Sequence, residues 1–130
     1  MKTLEEALRD INGCSGTLHR RDGDVLKLIE SHGVPEHVVT LIERIPKGKG
    51  MAGQAWLRRK AITTCDLASD PDDVIQPGAR AVEAKAAIAL PVMSGGVMHS
   101  VVGFAFADGR LFETDFLQTL EALALEVAVY

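Results

Sequence analysis

The chain has 130 residues, 47% hydrophobic and 25% charged, a balance that suits one globular domain over 1–130 with a core that needs no staples. Its formal net charge is −4, and its basic residues fall in short clusters such as Arg20-Arg21 and Arg58-Arg59-Lys60, which argues against a phosphate-tracking nucleic-acid surface. No window reaches the roughly 18 consecutive apolar residues of a membrane span and no apolar signal-peptide core follows Lys2, so no membrane association and a bacterial-type cytoplasmic location are expected.

Thr3 opens a capping box with Glu6, Leu4, Ala7, Leu8 and Ile11 follow at helical spacing, and Gly13 is placed to close the helix in a left-handed cap. Two strands, 15–21 and 25–31, flank Asp22-Gly23, whose positive φ angles make a tight antiparallel hairpin. A helix begins at Pro35, carries Val38, Val39, Leu41 and Ile42 on its apolar face, and ends before Pro46. The glycine-rich loop 47–50 leads into a helix over 51–59, and a β-branched strand covers 61–66. Residues 67–79 contain Asp70-Pro71-Asp72-Asp73 and Pro77-Gly78, which is loop chemistry with room for one helical turn. Strands 85–93 and 97–106 flank Ser94-Gly95-Gly96 as a second hairpin. The segment 113–130 places Phe116, Leu120, Leu123 and Val127 on one helical stripe, with Glu113 and Asp115 at its start. Paired strands with helices between them predict an α+β fold around an antiparallel sheet.

This order, and the residues at its joints, resemble the GAF domain family over about 15–129. The resemblance is carried by Arg21-Asp22-Gly23, by Ile45-Pro46-Lys47-Gly48-Lys49-Gly50-Met51-Ala52-Gly53-Gln54-Ala55, and by Thr63-Thr64-Cys65-Asp66 with the Asp70-Pro71 loop. Leu90-Pro91-Val92, the return strand from Gly96 to Gly103, and Phe112-Glu113-Thr114-Asp115 complete it. It implies a central antiparallel sheet of five or six strands, terminal helices on one face, and lid helices and loops over a pocket on the other. It also implies small-molecule sensing and, commonly, a homodimer through the terminal helices. Leu117, Ala124, Leu125, Ala128 and Val129 extend the last helix's stripe toward such a seam, although a simply buried helix explains much of it. The expected function is a non-enzymatic sensory or regulatory module in signal transduction, binding a small-molecule ligand. Read as it stands, the chain has no output domain after Tyr130, so it would act in trans on a protein partner. A degenerate scaffold with a filled pocket is an alternative.

Gly48-x-Gly50-x-x-Gly53 satisfies the dinucleotide fingerprint literally, with Asp70 about 20 residues further on. That motif needs a strand feeding its first glycine and a long helix behind it. Pro46 and a helix that ends by Lys60 speak against both, and the glycines read better as a bend with close packing. The amides of Gly50, Met51 and Ala52 remain a weaker candidate anion site.

Free-methionine sulfoxide reductases share this fold and a glycine-lysine-glycine loop, and they supply the enzymatic alternative. That family places a cysteine where this chain has Ala52, and others after the third strand, where 67–82 has none. Cys65 lies one strand earlier and Cys14 at the far end of the first hairpin, so enzyme activity is not expected. Two reduced thiols are the plain reading, with a disulfide between them left open. Cyclic-nucleotide GAF domains carry Asn-Lys where Asp108-Gly109-Arg110 stands here, and a bilin-attaching cysteine–histidine pair is absent. His19, His32, His37 and His99 form no i, i+4 pair and no zinc spacing, and are expected at surfaces or edges, although His19 and His99 could meet across the sheet. The sequence requires no metal or cofactor.

The candidate ligand-binding residues are Trp56, Thr64, Cys65, Asp66, Arg80 and Phe104. Trp56, the single tryptophan, sits on the lid helix, either to stack on a flat ligand or to plug the pocket. Thr64, Asp66 and Arg80 are polar groups that can orient a ligand. The arginine would fork a carboxylate or nitrate-like anion, or else pair at the surface. Cys65 reads as a buried strand thiol beside them. Ile88, Leu90, Phe104 and Phe106 are walls or core, and alternation alone leaves open which of them face the pocket.

Overall fold

The computed structural model describes residues 2–63, 86–108 and 112–128. Six strands, β1 (Ser15–Asp22), β2 (Val25–His32), β3 (Arg44–Pro46), β4 (Ile62–Thr63), β5 (Ala86–Ser94) and β6 (Val97–Phe106), form one antiparallel sheet in the order β3-β2-β1-β6-β5-β4. Among the described residues four helices flank it: α1 (Leu4–Ile11), α2 (Glu36–Ile42), α3 (Gly50–Arg58) and α4 (Thr114–Val127).

Each long hairpin turns on glycine. β1 reaches β2 through Gly23 and Asp24, with Asp22 paired to Val25. Gly23 has a φ of 64° and Asp24 is not positive, the pattern of a type II′ turn. Asp22 is therefore a strand residue, not a turn residue. Gly95 and Gly96 join β5 to β6 with φ of 58° and 81°, both positive as a type I′ turn requires. The two hairpins are joined edge to edge by β1 and β6, in register from Ser15 with Ala105 to Arg20 with Ser100.

The structure changes the expected boundaries at two places. After α1 it is Asn12 that takes the left-handed cap (φ 55°), because asparagine tolerates that region. Gly13 instead lies against Leu8, whose Cδ2 would stand 2.7 Å from an added Cβ. The helix expected to run toward Pro46 stops at Ile42, and Arg44, Ile45 and Pro46 pair with Lys27, Leu26 and Val25 as β3. Proline is tolerated there because β3 is an edge strand. Of the strand expected over 61–66, Ile62–Thr63 is β4; 64–66 and the loop over 67–79 lie outside the described residues.

The back of the sheet carries α1 and α4. The Thr3–Glu6 capping box is formed, with Glu6 N–H donating to Thr3 Oγ1 at 3.1 Å and Thr3 N–H to Glu6 Oε1 at 3.0 Å. Leu4, Ala7, Leu8 and Ile11 of α1, with Leu120, Leu123, Ala124 and Val127 of α4, pack on Leu18, Ile88, Leu90, Phe104 and Phe106. Each fully buried leucine or phenylalanine contributes about 1.5–3 kcal/mol. Phe106, Phe112 and Phe116 meet with ring centroids 5.7 to 6.1 Å apart and anchor the start of α4. Of the residues that extend its stripe, Ala124 and Ala128 are buried in this core, Leu117 packs half-buried against it, and Leu125 is 54% exposed. Val129 lies outside the described residues. No described helix is long and apolar enough to cross a membrane.

Candidate functional site

Side chains alternate across a sheet, and in β5 and β6 the alternation separates large from small. Ile88, Leu90, Val92, Val102, Phe104 and Phe106 enter the back core. On the front, Ala87 and Ala89 of β5 and Gly103 and Ala105 of β6 are small, whereas Val101 and Met98 pack beside Trp56. In register the small residues form one row of Ser15, Ala105 and Ala87, and a second of Thr17, Gly103 and Ala89. Side chains this short cannot reach the elements above them, and a cavity of about 340 Å³ remains over the two rows, within the size range of small-molecule sites. Gly103 is required by this packing: an added Cβ would stand 2.7 Å from Thr17 Oγ1.

The cover comes from Val34, from Val38, Leu41 and Ile42 of α2, from β3, and from Lys49, Gly50, Met51 and Ala52 at the start of α3. The start of α3 is held in place by a close backbone approach. A Cβ on Gly53 would lie 2.6 Å from Pro46 O, and Gly48 N–H donates to Gly53 O at 2.9 Å. Gln54 Nε2 donates to Gly48 O at 2.7 Å. The glycine run therefore serves to bring α3 against β3. The dinucleotide reading fails here, because the strand before Gly48 is a three-residue antiparallel edge and the helix behind it has nine residues.

Two electrostatic features mark the cavity. Arg44 and Lys49 line it, and no aspartate or glutamate does among the described lining residues. The amides of Gly50, Met51 and Ala52 have no intrahelical acceptor, and α3 has neither a side-chain cap nor an acidic residue in its first turn. The second feature is His19, which lines the cavity at 2% exposure. Its Nε2 lies 2.8 Å from Ile42 O. A carbonyl only accepts, so Nε2 donates and ties the end of α2 to β1. Burial lowers the pKa of the ring, against the smaller opposing effect of that hydrogen bond. His19 Nδ1 is buried without a hydrogen-bond partner.

The residues singled out from the sequence divide. Trp56 is 4% exposed and does not line the cavity; it packs beside it with Leu26, Ala55, Ile62, Met98 and Val101. Its outer face is covered by Arg21 and Lys47, 5.3 Å and 5.6 Å from the ring centroid. Phe104 borders the cavity while its ring lies in the back core. Thr64, Cys65, Asp66 and Arg80 lie outside the described residues. Cys14 is a free, exposed thiol, and Ala52 stands in the cavity wall. His19, expected at a surface or edge, is buried because it shares the front face with Ser15 and Thr17. It pairs with Val101, whereas His99 lies against Ser100, with Nδ1 2.7 Å from Oγ. The readable signal for His19 was its phase on β1, two and four residues from those small polar neighbours. Among the described residues no group of three histidine, cysteine, aspartate or glutamate side chains could hold a metal.

A family profile described as GAF domain matches residues 2–130. No curated protein sequence matches the chain. Among solved structures, the GAF domain of a phosphoenolpyruvate-protein phosphotransferase from Coxiella burnetii is similar with a TM-score of 0.77 at 15% identity, over 96% of this chain and 75% of that one. Free methionine-R-sulfoxide reductase from Neisseria meningitidis, solved with its substrate, gives a TM-score of 0.72 at 24% identity, over 95% and 70% of the two chains. The type II free methionine-R-sulfoxide reductase of Thermoplasma acidophilum gives 0.69 at 18% identity, over 89% and 76%. At these identities the likeness is one of fold.

Proposed function

The chain belongs to the GAF domain family, and from that premise we propose that it is a non-enzymatic, cytoplasmic sensor that encloses a small molecule and acts on a partner in trans. The observation that carries this reading is the cavity of about 340 Å³ over a floor of alanine, glycine, serine and threonine. A filled-pocket scaffold would place large side chains on that face. Ligand binding would order the cover, and His19 couples cover to sheet through Ile42. Two copies associate through the outer faces of α1 and α4, where Leu125 is exposed. Leu125→Glu should convert a sedimenting dimer to a monomer, and a monomeric wild type removes this part.

The same fold in free methionine-R-sulfoxide reductases supplies the competing reading. Against it, alanine occupies position 52 in the cavity wall and Cys14 is exposed, outside that wall. Native mass spectrometry of freshly purified protein, with and without Ala105→Leu to fill the cavity, separates the two. A bound small mass lost in the variant supports the sensor. An empty wild type that turns over free methionine-R-sulfoxide, with turnover lost in Cys65→Ser, replaces it with the enzyme.

A further inference from the structure

The floor of the cavity is polar along one edge. β1 lies beside β6 and β6 beside β5, so each row begins with a hydroxyl on β1, Ser15 or Thr17, and ends on an alanine of β5. Ser15 is 4% exposed and lines the cavity. Its hydroxyl makes no hydrogen bond among the described residues, and neither does that of Thr17. Thr17 Oγ1 stands over Gly103, 2.7 Å from the place of an added Cβ, which puts it on the cavity side of the sheet. Unlike His19 Nδ1, neither oxygen is sealed in by surrounding atoms. A hydroxyl can both donate and accept, and one kept from water without a partner is costly. Both oxygens therefore favour a ligand that brings a polar edge to β1.

The rest of the floor is apolar and low. Across three strands and two residues of rise, the two rows span about 10 Å by 7 Å. Val38, Ile42 and Met51 face this floor from the cover. The enclosed volume of about 340 Å³ equals the liquid share of roughly eleven water molecules, enough for two fused rings. Arg44 and Lys49, the charged side chains among the described lining residues, are exposed, so their charge stays in water. A charged group resting on the alanines would lose its hydration and gain no counter-charge there.

We propose that the cavity takes a flat, uncharged aromatic molecule of about two fused rings, lying on the sheet with one hydrogen-bonding edge against Ser15 and Thr17. The rings rest on Ala87, Ala89 and Ala105, and Val38, Ile42 and Met51 close over their other face. The inference rests on the ligand-binding reading above and narrows the ligand to a chemical class.

Three probes titrated into the full chain by NMR separate the parts of this claim. 2-Quinolinone is flat and uncharged with a lactam edge, octahydro-2-quinolinone carries the same edge on puckered rings, and quinoline-2-carboxylate is flat and charged. 2-Quinolinone should bind most tightly. The puckered lactam should be about fivefold weaker, because gaps against the floor forfeit dispersion contacts. The carboxylate should be at least about tenfold weaker. Ser15→Ala combined with Thr17→Ala should weaken 2-quinolinone about tenfold, as two hydrogen bonds between neutral groups would. Should that variant misfold, the ranking of the probes on the wild type decides the question. A carboxylate that binds as tightly as the lactam overturns the uncharged class, and a puckered lactam that does so overturns the flat one. Unchanged affinity in the double variant overturns the polar edge; all three results leave the cavity as a binding site. No saturable binding of 2-quinolinone up to about 1 mM overturns the class, while the bound mass in native mass spectrometry reports on the cavity separately. Binding of the probes that survives Ala105→Leu puts them outside the cavity, and overturns the pocket reading itself.

Discussion

Gly53 separates two explanations of the glycine-rich loop, close packing and ligand contact. Helix propensity alone favours alanine there by up to about 1 kcal/mol. The structure opposes it. An added Cβ would lie 2.6 Å from Pro46 O, 3.1 Å from Gly48 N and 3.2 Å from Gly48 C, all backbone atoms. No side-chain rotation relieves such contacts, so α3 must lift from β3. Overpacking of this kind costs about 1–3 kcal/mol, and the lift also strains the 2.9 Å bond from Gly48 N–H to Gly53 O, about 1 kcal/mol more. The balance for Gly53→Ala is a loss of about 1–3 kcal/mol. In a domain of this size that lowers the melting temperature by roughly 5–10 °C, read by calorimetry with far-UV circular dichroism to confirm the fold. A variant that melts higher than wild type would refute the close-approach reading and return the glycine to a ligand-binding role.

Gly103→Ala should cost about 1–2 kcal/mol against Thr17 Oγ1 and much less in a Thr17→Ala background; additive effects in a urea double-mutant cycle would refute that coupling. His19 has a folded-state pKa held below its ordinary value of about 6.5 by burial. As the pH falls below that value the unfolded chain takes the proton first, so stability declines there and this group contributes no slope above it. Urea midpoints should show the decline in wild type and a smaller one in His19→Gln, and equal slopes would count against a buried neutral ring. Trp56 is the single tryptophan and is buried beneath Arg21 and Lys47. Its emission should be blue-shifted and poorly quenched by acrylamide, and Arg21→Ala should cost about 0.5–1 kcal/mol; emission like that of free tryptophan would show the ring to be exposed.

The hairpins and the terminal helices were legible because their signals are local. Gly23 and Gly95-Gly96 mark turns, and the Thr3 and Glu6 box marks a helix start. β3 was not legible. Three residues with a proline carry little strand preference, and they form a strand because β2 offers Leu26 and its neighbours an edge to pair with. The cavity was written in the sequence less plainly, as two interleaved phases. Ala87, Ala89, Gly103 and Ala105 alternate with Ile88, Leu90, Phe104 and Phe106, but small residues signal an opening only once the height of the cover is known. Trp56 stands out by its chemistry and lies beside the opening, whereas His19, in a strand of mixed polarity, reads as a surface or edge residue and is buried in the cavity wall.

The seam between β1 and β6 also bears on the order of assembly. Ser15 pairs with Ala105 and Arg20 with Ser100, so the middle of the sheet joins segments separated by most of the chain. Each hairpin can zip locally within microseconds, but the seam waits on closure of that long loop. During synthesis the amino-terminal hairpin must stand with one edge bare until β6 has emerged from the ribosome. His19, Arg20 and Arg21 on that edge would discourage it from joining a neighbouring chain in the interval.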